Sequence, residues 1–228
     1  MAEIAVHCTN GVKEVVRELF PVFEQTSGSK LMVTYGATAA LVQSIREGAE
    51  ADVVIVTSEA IAQLAQLGKV VASSRTDLAR SFIGVAVPAG TPPPEIGTVQ
   101  ALKTALLAAR AVAYSRQGIS GIYFPSVLER LGIAEAMRSK TVLTQGVPVG
   151  VVLARGEADL GIQQISELLP VSGIVVVGPL PAEVQKVTIF SAGLSTTARA
   201  ADSTKALMQF LAASFVPDML KRHGLEAL

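Results

Sequence analysis

The sequence predicts an α/β chain of two similar lobes, each a mostly parallel sheet flanked by helices, with a ligand cleft between them. Three observations carry this. Residues 31–56 read as strand (31–35), small-residue turn (Gly36, Ala37, Thr38, Ala39), helix (40–47) and strand (52–56), with Leu41, Val42 and Ile45 on one helical face and Gly48 as its stop. The second strand is an unbroken apolar run, Val53 to Val56, which suits a parallel strand covered on both faces. The order helix, glycine, any residue, Ala-Asp, strand then recurs about a hundred residues on, around Gly156, Ala158 and Asp159.

The remaining elements fall in order between glycine and proline stops. Residues 4–6 read as a short first strand, with His7, Cys8, Thr9, Asn10 and Gly11 as its turn, and 12–23 as an amphipathic helix carrying Val12, Val15, Val16, Leu19 and Phe20 on one face. A helix over 59–67 closes at Gly68, and 82–87 reads as a buried strand that crosses into the second lobe and ends at Pro88. Beyond a proline-rich loop, helices are expected at 99–109, 122–131 and 149–155, and strands at 111–114, 141–143, 160–163 and 174–177. A strand over 187–192 returns to the first lobe, and helices over 203–213 and 217–223 finish it. The first lobe is thus discontinuous, 1–81 with 191–228, around a second lobe of 82–190.

Composition narrows the function. The 228 residues are half hydrophobic and formally neutral, with 4% aromatics, which argues against a nucleic-acid partner. No apolar run is long enough for a membrane span. The single Cys8 makes no internal disulfide. His7 and Cys8 point to opposite faces of a strand, and the only other histidine is the distant His223, so no metal site is expected. Neither a nucleophile elbow nor a phosphate-binding loop occurs, and no cofactor is expected. The N-terminus lacks a secretory leader, which reads as cytoplasmic if the sequence is complete and periplasmic if a leader has been removed.

Candidate chemistry lies in four turns where a strand ends and a helix begins: Thr9, Asn10 and Gly11; Thr38 with its alanine neighbours; Ser115 through Ser120 and Gly121; and Gly146-Val147. Ligands of open α/β sheets sit outside the carboxyl ends of strands, where helix N-termini offer free N–H groups and the positive end of the helix dipole. Hydroxyls of Thr9, Thr38, Ser115 and Ser120 add donors, and the whole suits a small anion. Asp52 and Asp159 read as backbone caps.

Several stretches resemble the molybdate-binding solute receptors of ABC transporters: Tyr35-Gly36-Ala37-Thr38-Ala39-Ala40-Leu41, Ile45 through Val53, Gly121-Ile122-Tyr123 with Leu128 and Leu131-Gly132, and Lys221 through Leu225. The match is collinear over nearly the whole chain. It implies a type II periplasmic-binding-protein fold that closes on an oxyanion held by neutral donors. The family's first-turn serine falls on Gly11, its second-turn serine on Thr38, its small residue before Gly-Ile-Tyr on Ser120, its fourth-turn backbone donor on Val147 and its tyrosine on Gln164. Gly11 in place of serine is expected to open volume, Gln164 to offer a donor and an acceptor, and Arg116 to supply a guanidinium that grips a carboxylate with two N–H groups. These departures favour a small organic carboxylate over molybdate. The expected function is a solute-binding protein, serving an ABC transporter permease if exported. The alternatives are an enzyme acting on a small organic acid, and a cytoplasmic anion sensor.

Overall fold

The computed structural model of the protein describes residues 2–199 and 201–228. Met1 and Ala200, both inside the ranges expected for the first lobe, lie outside the described residues. The chain begins with β1 (Glu3–Thr9), a 3-10 turn (Asn10–Val12) and α1 (Lys13–Ser27), then β2 (Lys30–Gly36), α2 (Thr38–Arg46), β3 (Val53–Thr57), α3 (Ser58–Gln66) and β4 (Thr76–Ser81). After Phe82 come β5 (Ile83–Pro88), α4 (Val99–Ala108), β6 (Val112–Ser115), α5 (Ile119–Arg130) and α6 (Ala134–Met137). These are followed by β7 (Thr141–Thr144), α7 (Val149–Ala154), β8 (Leu160–Gln164), α8 (Ile165–Leu168) and β9 (Ile174–Pro179). The closing elements are β10 (Thr188–Leu194), α9 (Ala201–Ser214), α10 (Pro217–Arg222) and β11 (Leu225–Glu226).

Two compact units result. One joins the residues up to Ser81 to Thr188–Leu228, and the other is Phe82–Val187. The second crossing therefore lies at Val187 and Thr188 rather than at 190 and 191. All of β10 pairs in the first unit, between β3 and β4, so no boundary falls within it.

The first unit holds a six-stranded sheet in the order β11-β4-β10-β3-β1-β2. β1 runs parallel to β2 and β3, and the returning β10 runs antiparallel to β3 and β4. The second unit repeats the scheme with five strands, β7-β6-β8-β5-β9, in which β6 is parallel to β7 and β8 while the entering β5 is antiparallel to β8 and β9. Each sheet is thus parallel in the half that carries the strand-to-helix turns. The strand that crosses from the other unit runs against it.

β4 and β11 form where no strand is expected from the residues alone. β4 reads Thr-Asp-Leu-Ala-Arg-Ser, whose polar residues mask the alternation, and pairing with β10 and β11 holds it in place. β1 also extends through Thr9, because its whole length pairs with β2, so His7, Cys8 and Thr9 are strand residues rather than turn.

Large and small residues separate on the second sheet. Val85 and Val87 of β5 and Val112 and Tyr114 of β6 pack with Leu102 and Leu106 of α4 and Phe124 of α5. Ala86, Ala111 and Ala113 face α7, where Val149, Val152 and Leu153 close the opposite layer. That layer sits tight on the sheet: a Cβ on Gly161 would lie 2.6 Å from Leu153 Cδ1. In the first unit Leu41, Val42 and Ile45 of α2 meet Val54 and Val56 of β3 and Ile61 and Leu64 of α3.

The repeated aspartates do the same work twice. Asp52 accepts the Ala5 N–H at 2.7 Å and the Arg199 N–H at 2.7 Å. Asp159 accepts the Arg110 N–H at 2.6 Å. In both units an aspartate just before the third parallel strand fixes the chain entering the first.

Candidate functional site

In the first unit the site is built on the carboxyl ends of β1 and β2. Thr9, the last residue of β1, is buried and level with Gly36 of β2. Its Oγ1 lies 3.0 Å from Thr38 Oγ1. One hydroxyl donates to the other, so the pair keeps one free O–H proton for a further acceptor. Neither threonine caps its own helix, whereas Thr57 accepts from the Ala60 N–H in the ordinary N-cap manner. The first α2 bond runs from the Leu41 N–H to the Ala37 carbonyl. The N–H groups of Thr38, Ala39 and Ala40 thus have no acceptor inside the helix.

Gly11 overturns one expectation. A Cβ there would sit 2.2 Å from Phe190 Cζ, and Phe190 has no exposed surface. The glycine does not open volume for a ligand, because the ring of β10 fills the place where a side chain would start. Asn10, in the turn, is half-buried.

In the second unit the turn after β6 is shaped by Ser115. Its Oγ accepts the N–H groups of Gln117 at 3.3 Å and Gly118 at 2.9 Å. α5 consequently starts at Ile119, three residues before the expected 122, and its first bond runs from the Ile122 N–H to the Gly118 carbonyl. Ser120 and Gly121 thus lie in the first helical turn. The N–H groups of Ile119, Ser120 and Gly121 are free of intrahelical acceptors. A Cβ on Gly121 would lie 1.7 Å from the Ser115 carbonyl oxygen, so the helix start is folded hard against the turn and only glycine fits. That is the steric origin of the Gly-Ile-Tyr signature.

Arg116 is exposed, and its backbone N–H is anchored to the Thr144 carbonyl at 2.9 Å. Ser120 is buried, while Ile122 beside it is 61% exposed. Val147 is exposed ahead of Pro148. Gln164, the last residue of β8, has no exposed surface and is bonded within the protein.

Three residues were missed by the sequence reading. Thr144, the partner of Ser115 across β6 and β7, is buried with its Oγ1 unpartnered. Gln163 accepts the Val149 N–H at 3.1 Å and donates to Glu167 at 2.7 Å. It thereby satisfies one of the first N–H groups of α7. Glu167 is pushed up to about 7 by burial, partly opposed by the Gln163 hydrogen bond. Adjacency to predicted site residues was the only available signal for these. In the first unit His7 is buried, its Nδ1 has no partner, and burial holds its pKa below the usual value. Cys8 faces the other side of β1, and burial pushes its thiol well up, which removes it as a nucleophile. His223 is bonded to Glu18 at 3.0 Å.

Comparison with known proteins adds context. The family described as bacterial extracellular solute-binding protein matches residues 4–226. A Pseudomonas sp protein named aconitate isomerase is 35% identical over 229 residues, covering 98% of this chain and 87% of that one. The periplasmic molybdate-binding protein of Azotobacter vinelandii has the same fold, with a TM-score of 0.78, 19% identity and 99% of both chains covered. So does the substrate-binding domain of a putative molybdenum ABC transporter from Clostridium difficile, at a TM-score of 0.75, 20% identity and full coverage of both chains.

Proposed function

The chain belongs to the family of bacterial extracellular solute-binding proteins, and we propose that its solute is a small organic acid carrying several carboxylates, of the aconitate class, rather than molybdate. The observation that carries this reading is Arg116, an exposed arginine with no acidic partner among the described residues, in the turn that leads into α5. A compact oxyanion is satisfied by neutral donors. A guanidinium matches the planar fork of a carboxylate and makes a charge-assisted pair worth roughly 2 kcal/mol or more when desolvated. The exposed Ile122 and Val147 supply apolar surface that suits a carbon skeleton. Within the second unit, Ser120 and the N–H groups at the start of α5 add donors for further carboxylates. As a binder the protein would hand its solute to the permease of an ABC transporter.

The test is a thermal-shift panel of citrate, cis- and trans-aconitate, molybdate, tungstate and sulfate. A rise in melting temperature with the tricarboxylates and none with the oxyanions supports the reading. The reverse order refutes it.

A second reading, turnover, is favoured by the 35% identity to the protein named aconitate isomerase. Proton NMR of cis-aconitate incubated with the protein separates the two. Growth of the trans-aconitate alkene signal, abolished by Arg116→Ala, marks an enzyme, and unchanged spectra mark a binder.

A further inference from the structure

His7 lies on β1 two residues inward of Thr9, on the same strand face, so it points to the layer in which Thr9 meets Thr38. The side chain is 7% exposed and its Nδ1 has no hydrogen-bond partner. A buried imidazole nitrogen left bare is costly, and an unpaired buried polar group in a native protein calls for an explanation. Among the described residues none supplies a counter-charge. The paired neighbours are Thr34 on β2 and Val54 on β3, and the inner faces of α2 and α3 present Thr38, Leu41, Val42, Ile61 and Leu64. Asp52, which bonds the strand at Ala5, has its two oxygens taken by backbone N–H groups. Burial is the only cause of the lowered pKa.

We propose that His7 belongs to the ligand site of the first unit and takes up a proton when a carboxylate binds beside Thr9 and Thr38. This rests on the carboxylate reading above. Without ligand the ring is neutral at neutral pH, because burial without a partner disfavours the charged form. A carboxylate brought within hydrogen-bond reach reverses that balance. The imidazolium becomes the favoured state and donates a charge-assisted bond to the anion. Binding thus raises the His7 pKa from below 6.5, and the complex holds one more proton than its separated parts in the interval between the free and bound values. By linkage, affinity rises as pH falls through that interval, by up to about tenfold per pH unit.

Calorimetric titration with trans-aconitate in two buffers of different ionisation enthalpy counts the protons directly. The wild type should take up a fraction of a proton approaching one near pH 7. His7→Gln, or His7→Asn if the first does not fold, should bind more weakly and lose that uptake. Side-chain NMR of the wild type gives a second readout without altering His7. The chain has two histidines, so His223→Gln assigns both, and the His7 signal should titrate at higher pH with trans-aconitate present than without. Binding with no proton uptake, equal uptake by His7→Gln, or an unmoved His7 titration overturns the inference and leaves the carboxylate reading standing. Failure of the wild type to bind trans-aconitate, citrate or cis-aconitate removes that reading, and this inference with it.

Discussion

Gly11 offers a sharp test of how the first turn is packed. Its backbone is outside the left-handed region, so alanine is admissible there on conformational grounds. Such a Gly→Ala change normally stabilises by about 0.4–1 kcal/mol through the unfolded chain. Here the new methyl would start 2.2 Å from Phe190 Cζ, with Cε2 and Cε1 at 2.8 and 2.9 Å. Those contacts are with a rigid ring that has no exposed surface, so the ring or the turn must move. Overpacking of this kind costs about 1–3 kcal/mol, which outweighs the entropic gain over most of its range. An overpacking cost of about 2 kcal/mol, the middle of that range, leaves a net of about 1–1.6 kcal/mol, and at about 2–4 °C per kcal/mol for a chain of this size Gly11→Ala should melt roughly 2–6 °C below the wild type by circular dichroism. In a Phe190→Leu background the same change should cost at least about 0.5 kcal/mol less, since the two sites share one space. A Gly11→Ala protein as stable as the wild type would refute the reasoning.

Three further outcomes follow from bonds in the structure. Thr38→Val strips the Thr9 hydroxyl of its 3.0 Å partner and should cost about 1 kcal/mol of stability in denaturant unfolding, together with a loss of solute affinity in titration. Asp52→Ala leaves the Ala5 and Arg199 N–H groups without their acceptor and should destabilise by about 2–4 kcal/mol, whereas Asp52→Asn should recover part of that. Glu167 keeps its proton to about pH 7 in the folded chain but loses it near 4.5 when unfolded, so the folded state binds more protons between those values and stability falls as pH rises through them. Glu167→Gln should remove that slope and raise the melting temperature at pH 8, leaving it nearly unchanged at pH 4.

Much of the scaffold was legible because apolar periodicity and glycine stops coincide: α2 with Gly48, α3 with Gly68, and the doubled aspartates that fix each parallel half-sheet. β4 and β11 were not, since they become strands only by pairing with distant partners, β4 with β10 and β11 with β4. The site divides the same way. Free helix starts at Thr38 and Ser120 follow from local turn chemistry. That Thr9 and Thr38 bond each other and that Phe190 fills the space beside Gly11 are long-range facts with no local signature. His7 read as part of the turn that follows the first strand. Its bare nitrogen emerges only once β2, β3 and α2 are packed around it.

Calorimetric competition tests the central claim most directly: trans-aconitate titrated into the protein, alone and then with saturating molybdate present, repeated on Arg116→Ala. Selective carboxylate binding by the wild type, undisturbed by molybdate and weakened at least about tenfold in Arg116→Ala, is the predicted result. Tight molybdate binding that survives Arg116→Ala would contradict it and show that neutral donors alone select the solute.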